Sequence, residues 1–215
     1  MIQLSYSTLN MIYQSSHNWL NKQMGIKPEE RPEWEVGKKI HRIIQDHVSG
    51  KKLHLNLKHI KHTFPVVEEV DFDERCKFNF DCNFAGKDIK NKYNIIGFID
   101  GLDPENKRFL EIKSSDPLWS VGKFQNTMQR KVYALAKLEF TEAVLITCTK
   151  RIENWERVPA KIFKVPLTDQ DRKEARDWIL GGIRIIESGE FTGGLDENGK
   201  CTNPWCYFGK NCQFK

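Results

Sequence analysis

The chain has 215 residues, 39% hydrophobic, 29% charged and 11% aromatic, with a formal net charge of +5. That composition belongs to a globular protein with one substantial core, and it excludes a disordered low-complexity chain and a helical membrane protein, since no window approaches the roughly 18 apolar residues of a spanning helix. An isoelectric point near 8.8 suits a polyanionic partner without requiring one. The start "MIQLSYSTLN" lacks the basic head and apolar run of a secretory signal, so a cytoplasmic protein is expected.

Residues 5–24 place Leu9, Ile12, Tyr13, Leu20 and Met24 near helical spacing, with Ser5 or Ser7 as N-cap. A second helix is expected from about Trp34 to His47, with Val36, Ile40, Ile43, Ile44 and Val48 as its apolar stripe and His41 beside that stripe. His47, His54, His59 and His62 read as surface residues, and Lys51, Lys52, Lys58 and Lys61 as a solvated charged face. Alternation from Phe64 to Phe84 predicts two strands about a turn at Asp73 and Glu74. Further on, residues 118–138 read as one helix, 143–149 as a buried strand and 161–166 as a short strand. The last helix opens at Thr168 as N-cap with Asp171 three residues on, carries Ala175, Trp178, Ile179, Ile183 and Ile186, and ends near Gly189. Helices and strands alternate, which predicts an α/β fold with a central mixed sheet flanked by helices. There is no internal repeat or low-complexity linker, so one domain is expected over 1–215, with a cysteine-rich tail at 200–215.

The segment "GFIDGLDPENKRFLEIKSS" holds the densest chemistry. Asp103, Pro104, Glu105 and Asn106 form a turn tetrad, and folding about its centre pairs Leu102 with Phe109 and Gly101 with Leu110. Asp100 then faces Glu111, and alternation adds Lys113 to that face while Ile95, Ile99, Leu110 and Ile112 share the core face. Opposed carboxylates repel. A hard divalent cation between them offsets that repulsion and leaves Lys113 for chemistry; the plain alternative is a surface salt bridge beside an unrelated aspartate.

Four short pieces occur in order: Gly37 to His41 in a helix, Gly97 to Gly101, Glu111 to Lys113, and Gln129 to Tyr133 in the following helix, with Tyr6 and Ser7 near the start. In these residues the chain resembles the PD-(D/E)XK nuclease superfamily, in particular its RecB-like branch, which includes phage exonucleases and CRISPR-associated nucleases of the adaptation machinery. Ile99 stands where the superfamily's proline would precede Asp100. The resemblance implies a restriction-endonuclease-like core and a metal-dependent DNA nuclease, an exonuclease on single-stranded DNA in recombination, repair or phage DNA processing. It implies that Asp100, Glu111, His41 and the backbone carbonyl of Ile112 hold magnesium or manganese, and that Lys113 orients water or phosphate. Gln129 and Tyr133, four apart on one helical face, would contact a phosphate or position the lysine. The rival reading is a non-catalytic nucleic-acid-binding or assembly subunit on the same scaffold.

The tail spaces Cys201, Cys206 and Cys212 as Cx4Cx5C. In RecB-like exonucleases with an iron-sulfur staple, three such cysteines join one near the N-terminus to hold a four-iron cluster. Here the first helix offers Ser16 and His17 instead. A Cys3His zinc site, a cluster with one histidine ligand, and three reduced thiols all remain open. Cys148 reads as a small core residue, and Cys76 and Cys82 have no evident partners.

Overall fold

The structure is a computed structural model, and it describes residues 2–52, 57–58, 60, 78–79, 83–84, 87–88, 93–97, 99–136, 139–150, 159–203, 206 and 208–214. In chain order the elements are β1 (Ile2–Ser5), α1 (Tyr6–Gln14), α2 (His17–Gln23), α3 (Pro32–Val48), β2 (Phe78–Asn79), β3 (Asn83–Phe84), β4 (Lys87–Asp88) and β5 (Tyr93–Ile96). They continue with β6 (Gly101–Asp103), β7 (Arg108–Ser114), α4 (Val121–Gln125), α5 (Met128–Ala136), β8 (Glu142–Cys148), β9 (Ala160–Pro166) and α6 (Asp169–Ser188). The chain divides into two compact units. One comprises Met1–Glu30, Lys77–Ile96 and Glu174–Lys215, and the other Arg31–Cys76 and Gly97–Lys173. No described helix is long and apolar enough to cross a membrane.

The second unit is α/β, built on a four-stranded mixed sheet in the order β6-β7-β8-β9. β7 runs antiparallel to β6 and parallel to β8, and β9 closes the sheet antiparallel to β8. The hairpin pairs Gly101 with Leu110, Leu102 with Phe109 and Asp103 with Arg108, the register expected from the turn tetrad. Alternation along β7 and β8 sends Leu110, Ile112, Val144, Ile146 and Cys148 to one face, where Ile40, Ile44 and Val48 of α3 cover them. Burying each such aliphatic side chain contributes about 1.5–3 kcal/mol. α3 begins at Pro32, whose fixed φ suits the first helical turn, and Glu33 and Glu35 there complement the helix dipole. On the other face Phe109 meets the edge of the Tyr133 ring from α5, with ring centroids 5.9 Å apart. The sheet is thus flanked by helices on both faces.

Several expectations are corrected in this unit. Val36 is exposed, so the stripe of α3 starts at Ile40. His47 is buried, because its Nε2 meets the carbonyl of Ile60 at 3.1 Å. The described part of the helix expected over 118–138 is not one helix but α4 and α5, separated at Asn126 and Thr127. There Asn126 Nδ2 donates to the Gly122 carbonyl and Thr127 Oγ1 to that of Phe124, local bonds that satisfy the end of α4 and compete with continuation. The opening of α6 is the expected capping box: Thr168 Oγ1 accepts from Asp171 N at 3.1 Å, and Asp171 Oδ2 accepts from Thr168 N at 3.0 Å.

The first unit holds a three-stranded sheet, β1-β5-β2, and the separate pair β3-β4. Ile95 pairs with Leu4 in the parallel β1-β5 ladder, so it does not share a sheet face with Leu110 and Ile112 as expected. Residues 5–24 form two helices rather than one. Ser5 caps α1 by accepting from Thr8 N, and the chain breaks at Ser15 and Ser16 before α2. Trp178 of α6 stacks on both Tyr6 and Tyr13, and Tyr13 OH donates to its carbonyl at 2.6 Å. The turn expected at Asp73 and Glu74, and Cys76, Cys82, His54, His59, His62 and Lys61, lie outside the described residues.

Candidate active site and cysteine cluster

The second unit gathers the charged residues of the hairpin, α3 and α5. Hairpin pairing stops at Gly101 and Leu110, so Asp100, one residue beyond, is released from the ladder. Its Oδ2 accepts from the backbone N–H of Ile112 at 2.7 Å and lies 2.9 Å from His41 Nε2. Gln45, one turn beyond His41 on α3, donates from Nε2 to the Asp100 carbonyl at 2.9 Å. α3 therefore grips Asp100 at both side chain and backbone. In an extended strand a residue's N–H and C=O leave by the same edge. The Ile112 carbonyl accordingly opens toward the edge where Asp100 sits.

Glu111 lies on the opposite face of β7 from Ile112 and is buried, with its side chain 4% exposed. Its Oε1 is ion-paired with Lys113 Nζ. Its Oε2 is buried without a hydrogen-bond partner. Burial, then the nearby charge of Asp100, push the Glu111 carboxyl up to about 7 against the pull of Lys113 and His41. Burial alone would lower the His41 imidazole, but the hydrogen bond and charge of Asp100 and the charge of Glu111 outweigh it and raise the group.

Lys113 Nζ also donates to Gln129 Oε1 at 2.7 Å, and Gln129 Nε2 donates to Tyr133 OH at 3.0 Å. The i, i+4 pair on α5 thus forms a relay to the lysine. Trp119 stands beside it, with Lys113 Nζ 5.6 Å and Lys123 Nζ 4.4 Å from the ring centroid. Every residue named from the sequence for the active site (His41, Asp100, Glu111, Ile112, Lys113, Gln129 and Tyr133) falls in this one unit, and these contacts link them through Asp100 and Lys113. Gln45 and Trp119 were missed. The four-residue spacing from His41 would have pointed to Gln45; Trp119 sits in a loop with no periodic signal.

A divalent cation at this site passes a test of fit. The donor set is two carboxylates, an imidazole and a peptide carbonyl, which are hard or borderline ligands. Glu111 Oε2 is an orphaned buried acceptor, and burial, then the charge of Asp100, raise its carboxyl despite Lys113 and His41. His41, Asp100 and Glu111 are not drawn into a tight trio here: Asp100 turns to His41 and Glu111 to Lys113.

The first unit does contain a tight trio, the only one among the described residues: the ligand atoms of His17, Cys201 and Cys206 lie within 4.8 Å of one another, and this cluster could hold a metal ion. Cys212 stands outside that trio but belongs to the same buried cluster as Cys206, Met11 and Phe208. Cys148, by contrast, is a core residue of the second unit, its thiol pushed up to about 12 by burial and by the charge of Asp116.

No protein-family model matches the chain, and no curated protein matches it. Among solved structures, the crystal structure of SSO0001 is similar, with a TM-score of 0.54 at 16% sequence identity, over 100% of this chain and 88% of that one. At that identity the likeness concerns the fold.

Proposed function

We propose that the protein is a metal-dependent deoxyribonuclease with a restriction-endonuclease-like core, an exonuclease of the RecB-like type acting on single-stranded DNA. The observation that carries this reading is the buried, unpartnered Glu111 Oε2 beside Asp100, with Lys113 on the same strand. Such a carboxylate is costly to keep without a cation, and a purely structural ion pair would satisfy both of its oxygens.

Asp100, Glu111, His41 and the Ile112 carbonyl would hold magnesium or manganese, which supplies a Lewis acid for the phosphate oxygens. The Asp100 carboxylate is oriented by Ile112 N–H and by α3, while His41 and Glu111 would turn from Asp100 and Lys113 toward the ion. Lys113 carries positive charge toward the reacting phosphate and orients the attacking water. The water oxygen bonds to phosphorus as the bond to one sugar oxygen breaks. The water gives up a proton and the leaving oxygen gains one, yielding a phosphate monoester and a hydroxyl. Gln129 and Tyr133 fix the lysine, as the 2.7 Å and 3.0 Å bonds describe. Trp119 favours a single strand, because an aromatic ring with two ammonium groups nearby suits an unpaired base and its phosphate.

The test is release of label from end-labelled single- and double-stranded DNA with manganese or magnesium. The reading expects hydrolysis by the parent chain and faster loss of the single strand. Lys113→Ala should cut turnover about 10²–10³-fold, and Glu111→Ala should abolish it. Equal activity in the parent and both variants would defeat the assignment.

A further inference from the structure

We infer that His17, Cys201, Cys206 and Cys212 form a mononuclear zinc site, in place of the four-iron cluster held by RecB-like exonucleases with an iron-sulfur staple. The inference concerns the first unit and does not depend on the nuclease reading.

His17 carries the argument. It is fully buried at the start of α2, and its Nδ1 lies 3.3 Å from the carbonyl of Gly193. A carbonyl only accepts, so Nδ1 bears the proton and the neutral ring keeps a lone pair on Nε2. That Nε2 is buried and has no hydrogen-bond partner. A histidine held through Nδ1 by a backbone carbonyl, with Nε2 bare, is the arrangement of a metal-ligating imidazole. The carbonyl is itself fixed. Ser16 N donates to it at 3.0 Å, Gly193 N donates to Ser16 Oγ at 2.8 Å, and a Cβ on residue 193 would come within 2.9 Å of that oxygen. Glycine is required for this approach.

The spacing of three of the four ligands favours one ion over a cluster. Zinc bonds of about 2.3 Å to sulfur and 2.0 Å to nitrogen place tetrahedral ligand atoms roughly 3.5–3.8 Å apart. The trio, already within 4.8 Å, needs only a small contraction to meet that. In a four-iron cluster each ligand binds its own iron, so the ligand atoms spread well beyond the spacing around one ion. An imidazole among thiolates also suits zinc, a borderline ion content with mixed nitrogen and sulfur.

Cys212 is the fourth ligand. Its Sγ accepts from Asn21 Nδ2 at 3.2 Å and from the backbone N–H of Phe214 at 3.4 Å, bonds that orient the sulfur within the same buried cluster as Cys206. Cys206 instead donates its thiol to Asn18 Oδ1 at 3.1 Å, a contact that ends when zinc displaces the proton. The ion would tie α2 to the C-terminal segment, adding a cross-link to a small apolar cluster.

The full chain, purified anaerobically, should be colourless and contain about one zinc per chain. Replacement of zinc by cobalt(II) should give the intense visible bands of a four-coordinate thiolate site. Cys206→Ser should lose stoichiometric metal. His17→Cys should stay four-coordinate and strengthen the sulfur-to-cobalt charge-transfer absorption. A brown protein carrying iron and sulfide would overturn the inference, as would a parent chain that gives no four-coordinate cobalt spectrum, or a His17→Cys spectrum identical to the parent's. The parent cobalt spectrum decides the question even if a variant fails to fold.

Discussion

Glu111 and Asp171 are both carboxylates removed from water, and their neighbours push them in opposite directions. Glu111 has one lysine and a competing carboxylate, and burial leaves it raised. Asp171 also suffers burial, but Arg130 more than offsets it: its Nη1 and Nη2 reach the two carboxylate oxygens, the first at 3.1 Å, and Thr168 adds donors, so the group is held below its ordinary value. Arg130 uses its remaining reach on the carbonyls of Gln125 and Pro166. Removing one partner of such a buried pair costs about 3–5 kcal/mol. Asp171→Asn should therefore lower unfolding stability by roughly that amount at neutral pH. A depressed carboxyl contributes stability that is present above its unfolded value of about 4 and is lost as pH falls through the folded value. The gap between parent and variant in urea titrations should thus hold from neutrality down to about pH 4 and close below it. A gap independent of pH would show that the ion pair is not its source. The sequence marked Asp171 as a helix-cap partner. Its bond to Arg130, 41 positions away, had no local signal.

At the scale of elements, what could be read in advance was whatever local chemistry determines. The turn tetrad set the register of β6 on β7, and that register placed Asp100 just past the last pair, with Glu111 and Lys113 on one face. The capping box located the start of α6. The break in the first helix was not legible, and the local signal of Asn126 and Thr127 between α4 and α5 was passed over. Ser15 and Ser16 interrupt the first helix because Gly193 docks against them from the far end of the sequence. Likewise β1 alternates apolar and polar residues over only four positions, too short a run to reveal it, and its parallel pairing draws Ile95 into the other unit's sheet. Gly97 shows how an element constrains the site. A Cβ there would stand 3.0 Å from Tyr133 Cε1, so only glycine at position 97 lets the backbone pass this ring so closely without moving it. Gly97→Ala should displace Tyr133 and loosen the hold of Gln129 on Lys113. Turnover should fall about 10–100-fold, the usual cost of disturbing a supporting shell, while circular dichroism stays that of the parent. Unchanged turnover would mean that the relay through α5 does not position the lysine.

For the molecule as a whole, the two compact units each carry one candidate metal centre of different chemistry. The second has carboxylate, carbonyl and imidazole donors around β7 of a mixed sheet, and the first has sulfur and nitrogen donors beside α2. The α/β class and the flanked mixed sheet followed from the order of periodic segments, because that order is encoded locally. The division into units did not, since the first is assembled from three separate stretches of chain. The central claim of the proposed function is that Asp100 and Glu111 bind a divalent cation. Manganese titration followed by electron paramagnetic resonance tests this most directly, on the parent chain, Glu111→Ala and Lys113→Ala. The account predicts that Glu111→Ala weakens manganese binding about 100-fold or more, while Lys113→Ala binds at least as tightly as the parent because it frees Glu111 Oε1. Manganese bound equally well by the parent and Glu111→Ala would contradict it.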